Sequence, residues 1–212
     1  MFRPVLKSFV FLLAVALAVS CNCKDEVPPV FEGPFYVAFK IDGDSIAYED
    51  GQNNYGNGPG ISSYEDSIGR LHSQFTTFIK SALDSTYESN IITIQMVKFL
   101  SDTDPPSYNT SFMLFDIGTY DYGSWNEDST AGGIDGAVIT YTDQNEKIWS
   151  SDRLYGQQES WADFQITAHK AAGDEQFGAK TKGTFNCRVF DGMGGFLDLR
   201  DGSFHARTIY PE

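Results

Sequence analysis

Beyond residue 33, apolar side chains recur at every second position, and that period leaves little choice of fold. Phe35, Val37, Phe39 and Ile41 alternate with Tyr36, Ala38, Lys40 and Asp42. Ile92, Ile94 and Met96 alternate with Thr93, Gln95 and Val97, and Phe164, Ile166 and Ala168 with Asp163, Gln165, Thr167 and His169. In an extended chain, successive side chains point to opposite faces, so each run has one face to bury and one to wet. Residues 74–79, 111–118, 136–142, 183–190 and 196–200 read as strands with less regular alternation. No sustained helical period competes, and only residues 80–88 and 148–155 suit a short helix.

Gly, Asp and Asn fill the gaps between these runs. Asp201-Gly202, between residues 196–200 and 203–209, predicts a two-residue hairpin. Asp191-Gly192-Met193-Gly194-Gly195 predicts a longer loop, so the last third is expected to be an antiparallel meander. The 17 Phe and 11 Tyr favour strands. The expected fold is all-β: a single antiparallel β-sandwich or open barrel of about eight to ten strands, spanning 34–212. The sequence has no internal repeat and no second domain boundary.

Charge narrows the partners. The 212 residues carry 29 acidic against 15 basic side chains, a formal net charge of −14. Phosphate binding needs a basic surface, so nucleic acid is excluded as a partner. Electrostatic adhesion to anionic lipid is disfavoured for the same reason.

The N-terminus has the layout of an export leader. Arg3 and Lys7 precede an unbroken apolar run over residues 9–19, too short for a bilayer span of roughly 18–20 residues. The run ends in Leu17-Ala18-Val19-Ser20-Cys21, which resembles the lipobox of bacterial lipoproteins. Ala18 stands where the usual pattern has Leu, as in the looser boxes of Bacteroidota. The resemblance implies a signal peptide over 1–20, lipidation of Cys21 and a lipidated tether over 21–33. One acyl chain holds a protein only marginally and two or more hold it stably. Lys24-Asp25-Glu26 resembles the export signal that sends Bacteroidota lipoproteins to the outer leaflet, and Val27-Pro28-Pro29-Val30 reads as a stiff spacer. Cys187 alternates with Phe185 and Val189, so it is expected inside the core rather than bridged to Cys23.

Trp161-Ala162-Asp163-Phe164-Gln165-Ile166-Thr167, then Lys182-Gly183-Thr184-Phe185, then Asp201-Gly202-Ser203-Phe204 resemble a group of uncharacterised Bacteroidota outer-membrane and surface lipoproteins. Phe35-Tyr36-Val37-Ala38-Phe39-Lys40-Ile41-Asp42-Gly43 fits their first strand. The resemblance covers the two ends of the mature chain. It implies a β-rich lipoprotein domain and no particular activity.

Motifs for chemistry are sparse. The chain has no nucleophile elbow, zinc-protease helix motif or phosphate-binding loop. His169 and His205 each alternate with polar residues and are expected at the surface. Its carboxylates include no pair whose spacing marks a glycosidase, which leaves a carboxylate-dependent glycoside hydrolase as a lesser alternative. Asp42-Gly43-Asp44 and Asp102-Thr103-Asp104 lack the rest of an EF-hand loop and read as acidic turns. No catalytic residue, cofactor or metal ligand is therefore expected. Tyr120, Tyr122 and Trp125 cluster in a glycine-flanked loop; they either roof the core or offer faces on which sugar rings stack. Asp-Ser-aliphatic/Thr triplets place Ser45, Ser67, Ser85 and Ser129 in patterns resembling Bacteroidota O-glycosylation sites.

The sequence thus points to a non-enzymatic lipoprotein of the outer membrane, facing the cell surface. It is expected to be a binding or accessory subunit of an outer-membrane protein complex, or alternatively a glycan-binding module beside a polysaccharide importer.

Overall fold

Burial on the central strand alternates without a break: Ala179, Thr181, Gly183, Phe185, Cys187 and Val189 are buried, and the residues between them are partly exposed. The computed structural model describes residues 33–52, 55–65, 71–81, 89–99, 115–124, 134–171 and 179–208. The described residues form eleven strands and no helix: β1 (Tyr36–Ile41), β2 (Asp44–Glu49), β3 (Tyr55–Glu65), β4 (Leu71–Ser81), β5 (Ile91–Phe99), β6 (Gly118–Tyr120), β7 (Gly136–Thr142), β8 (Ile148–Ser150), β9 (Asp163–Ala171), β10 (Ala179–Phe190) and β11 (Phe196–Thr208). They pair in the order β2-β1-β11-β10-β8-β7-β5-β4-β3, every named pair antiparallel. β10 is the branch point. Its first part pairs with β9, which carries β6, and its last residue, Phe190, pairs with Ser150 of β8. The sheet does not close into a barrel. It folds over itself as a sandwich does: Phe39 of β1 meets Tyr141 of β7 edge-on at 5.5 Å, although three strands separate them in the pairing order.

The core is the one the alternation predicts. Val37 and Phe39, Ile92, Ile94 and Met96, and Phe164, Ile166 and Ala168 are all buried. Across β10 and β11 the core is locked by a reciprocal pairing. Gly183 stands opposite Phe204 and Phe185 opposite Gly202. A Cβ on Gly202 would meet the Phe185 ring at 2.5 Å, and one on Gly183 the Phe204 ring at 2.5 Å. Each ring therefore occupies the space that the opposite glycine leaves, which is how aromatic side chains cover glycines in sheets. The Gly183-Thr184-Phe185 and Gly202-Ser203-Phe204 motifs are the two halves of this lock.

Four expectations are corrected. Asp201-Gly202 makes no hairpin; it lies inside the continuous strand β11. Phe185 pairs with Gly202 but Cys187 with Leu199, so Arg200 and Asp201 share the one partner Asn186 in a β-bulge. Asp201 takes a positive φ of 51°, and its N–H donates to Asn186 Oδ1 at 2.9 Å. Positive φ suits an Asp in a bulge as well as in a turn, and β10 and β1 both continue pairing past it. Second, residues 148–155 are strand β8 followed by a turn, not a helix. Third, residues 115–117 are not strand; the strand begins at Gly118, and residues 111–114 lie outside the described set, as does most of 80–88.

The fourth correction concerns the exposure of His205. The extra residue moves the inward positions from Leu199 to Phe204 and Ala206, leaving His205 on the opposite face. That face is not wet, because the chain entering β1 covers it. His205 is 1% exposed, its Nδ1 lies 3.0 Å from the Pro34 carbonyl oxygen, and its ring lies 5.0 Å from that of Phe35. His169 is half-buried, with Nδ1 2.9 Å from Thr181 Oγ1.

Gly202→Ala forces a methyl group into the Phe185 ring and is expected to cost about 1–3 kcal/mol, the usual range for overpacking. Urea unfolding of the variant checks this. Burial lowers the His205 pKa, and the nearby Lys182 and Lys180 add to the lowering against the Pro34 hydrogen bond. The folded state therefore resists protonation while the unfolded chain titrates near its ordinary value of about 6.5. Stability is full above that pH and falls as pH drops below it, with His169, lowered chiefly by burial, acting in the same direction. Urea midpoints between pH 7.5 and 5.5 should fall less steeply for His205→Gln than for the unchanged protein.

Candidate binding groove

Residues 151–162 form a long connection between β8 and β9, and part of it lines an open groove. Long loops held on a rigid scaffold are where binding sites concentrate. This one is pinned at both ends. At its start, Asp152 is buried; its Oδ1 accepts from Ser124 Oγ at 2.7 Å and from the Leu154 N–H at 2.8 Å. Ser151 Oγ accepts from the Ile139 N–H at 2.8 Å. Further along, Gln158 clasps β10: its Oε1 accepts from the Arg188 N–H at 2.9 Å, and its Nε2 donates to the Arg188 carbonyl at 2.7 Å and the Ser151 carbonyl at 3.2 Å.

The loop forms one wall of a groove, and a ladder of charge and aromatic rings ties it to β10 and β11. Arg188 makes two bonds to Asp198, through Nε at 2.7 Å and Nη2 at 3.1 Å, and an ion pair with Glu159. Its guanidinium lies 4.0 Å from the Phe196 ring centre, and that of Arg200 lies 3.1 Å from the Trp161 ring centre. Paired bonds of this kind are directional and hold Arg in one geometry.

The opposite wall is the segment Tyr120–Ser124, which runs beside β7. The Gly123 N–H donates to the Ala137 carbonyl and the Ala137 N–H to the Asp121 carbonyl, both at 2.9 Å. Gly136 makes that approach possible, since a Cβ there would sit 2.3 Å from the Asp121 carbonyl oxygen. Between the walls lies an open groove of about 350 Å³. Tyr120, Asp121, Arg153, Gln157 and Ser160 face it, with Ala162 beside them.

The structure separates the aromatic residues read from the sequence. Tyr122 is core: it is 5% exposed, its ring meets Phe164 edge-on at 6.3 Å, and its hydroxyl lies 3.1 Å from the Asp163 carbonyl and 3.0 Å from that of Asn186. Of the two readings for this residue, the core one describes its burial, although Tyr122 also borders the groove. Tyr120 is half-buried, packs edge-on against Phe164 at 6.4 Å, donates to the Asp116 carbonyl at 2.6 Å, and borders the groove. Trp125 lies outside the described residues, as do Cys21, Lys24, Asp25, Glu26, Ser67, Ser85, Ser129 and the Asp102–Asp104 turn. Ser45 is exposed on β2, next to the Asp42-Gly43 turn. Both of those turn residues have positive φ, as a tight hairpin requires. Among the described residues, no three His, Cys, Asp or Glu side chains are placed to share a metal ion.

Arg153, Gln157 and Ser160 carry no motif, so sequence reasoning passed over them. The available signal was the length and polarity of the loop itself. No protein-family model, curated protein or solved structure matches the chain.

Cys187 is fully buried, and burial pushes its thiol up to about 12. A thiol so placed is inert, since the thiolate is the nucleophile. Native alkylation followed by peptide mass analysis is expected to leave Cys187 unmodified, with full labelling only after denaturation.

Proposed function

We propose that the chain is an outer-membrane lipoprotein anchored at Cys21 and facing the cell surface. Its β domain serves as a non-enzymatic binding or accessory subunit of an outer-membrane protein complex. The anchor rests on the lipobox-like run ending at Cys21 and on Lys24-Asp25-Glu26.

The docking role rests on the polarity of the domain. The chain enters at Pro34 and Phe35, beside His205, which pairs with Tyr36 of β1. The opposite end carries the 191–195 loop, which Lys147 ties to the 143–147 turn through Asp191 at 2.6 Å. Large apolar side chains are exposed at that end: Ile148, Leu154, Tyr155, Phe196 and Met193, the last 91% exposed. Tyr155 lies alongside Gly192 of the loop, where an added Cβ would come within 3.2 Å of its ring. Exposed apolar residues grouped in this way mark contact surfaces. They lie away from the end at which the chain enters the domain, so a protein partner fits them better than the anchoring bilayer.

Two measurements test the reading. Protease treatment of intact cells should remove the domain, and Cys21→Ser should abolish lipid labelling; protection until the outer membrane is broken would place the domain on the other leaflet. Affinity purification from solubilised envelopes should recover a membrane-protein complex with the unchanged chain and lose it with Met193→Glu/Tyr155→Glu. Recovery of the lipoprotein alone would remove the docking role.

A further inference from the structure

We infer that the groove between Tyr120–Asp121 and residues 153–160 binds a neutral carbohydrate. The inference gives a ligand to the binding subunit proposed above, through side chains other than the exposed apolar ones, although Leu154 and Tyr155 belong to the same loop.

The first argument is the donor and acceptor set. Arg153 offers only donors, Asp121 only acceptors, and Gln157 and Ser160 offer both. All four side chains are exposed at the groove, and none forms an ion pair or side-chain hydrogen bond with a described residue. They are uncommitted, whereas the neighbouring Gln158, Glu159 and Asp152 are all held by the fold. A sugar hydroxyl donates and accepts at once, so a ring of hydroxyls matches a mixed set. A phosphate or sulfate group would meet the Asp121 carboxylate, and a cationic ligand would meet Arg153. One group of each sign leaves a neutral, hydroxyl-rich ligand as the best match.

The second argument is the apolar surface. Tyr120 is wedged between the Phe164 ring and the groove, with its hydroxyl tied to the Asp116 carbonyl. Its ring is therefore held still beside the polar groups. Sugars pair an apolar C–H face with polar edges, and an aromatic ring next to hydrogen-bonding groups accommodates both.

The third argument is rigidity and size. The three Gln158 bonds and the Asp152–Ser124 bond fix the loop before any ligand arrives, which removes an ordering cost from binding. A volume of about 350 Å³ lies at the small end of ligand sites. The groove lies level with Arg188, six positions along β10 from Lys182, which pairs with His205 where the chain enters. That is roughly 20 Å at the usual rise of a strand. The groove thus lies away from the end of the sheet marked by Pro34 and Phe35.

The test uses the full mature lipoprotein in a detergent without a sugar headgroup. It is titrated calorimetrically with neutral gluco-, manno-, galacto- and xylo-oligosaccharides, with uronic-acid and sulfated oligosaccharides and short peptides as contrasts. At least one neutral series should bind, with an affinity unchanged between 50 and 500 mM salt. Arg153→Ala and Gln157→Ala should each weaken it about tenfold, the loss of one or two hydrogen bonds. Their melting temperatures should stay at that of the unchanged protein, because both side chains are exposed and uncommitted. Absence of binding to every neutral series, binding of acidic sugars or peptides alone, or unchanged affinity in both variants would overturn the inference. None of these outcomes bears on the docking role, which the envelope purification reads separately.

Discussion

Phe185 lies over Gly202 and Phe204 over Gly183, and much of the core is arranged around that exchange. Because Gly183 has no side chain, the Phe204 ring can reach across β10 and stack on Phe164 of β9 at 5.8 Å. Phe164 in turn takes Tyr120 and Tyr122 edge-on. On the other side, Phe185 meets Phe39, which meets Tyr141 of the facing β7. Two runs of rings, one reaching the groove wall and the other the facing β7, thus meet at the glycine exchange between β10 and β11. Interiors are close-packed, so a single extra methyl group where they meet is felt along both.

The polar interactions work on a different scale. Inside the domain they close small accounts: Ser124, Ser151 and Asp152 satisfy one another or nearby N–H groups, so the turn after β8 is held without strain. On the outer face they organise the loops. Arg188 joins β10, β11 and the 151–162 connection through Asp198 and Glu159. The loops at the end away from Phe35 are consequently rigid in outline while their tips carry exposed side chains. That combination, a fixed frame with uncommitted groups on it, is what a binding surface needs.

Much of the fold was legible because burial on one face leaves a period of two. β1, β5, β9 and β10 all follow it. β2 and β3 were missed for a physical reason: both are sheet edges, and β3 begins Tyr55-Gly56-Asn57-Gly58-Pro59, a composition that reads as loop but that an edge strand tolerates. The bulge at Asp201 looks like a turn in the sequence because both conformations suit the same Asp-Gly dipeptide. His205 lies on the face the alternation gives it and is buried because Pro34 and Phe35 cover that face. The groove was less legible still. Asp121, Arg153, Gln157 and Ser160 come from two segments with no shared spacing, and Tyr122 differs from Tyr120 only in which way the backbone turns it.

The sequence alone determined that the described residues fold as an antiparallel β structure with Cys187 in its core, because hydrophobic period and turn chemistry are local properties. It also carries the motif at Cys21, from which the membrane anchor is proposed. Tertiary structure decided that the two Gly-x-Phe motifs lock together, that β11 runs straight through its Asp-Gly step, and that four unrelated polar residues share one groove. Those outcomes depend on which strand lies beside which, and pairing register over long separations is set by the whole packed core rather than by any single stretch of chain.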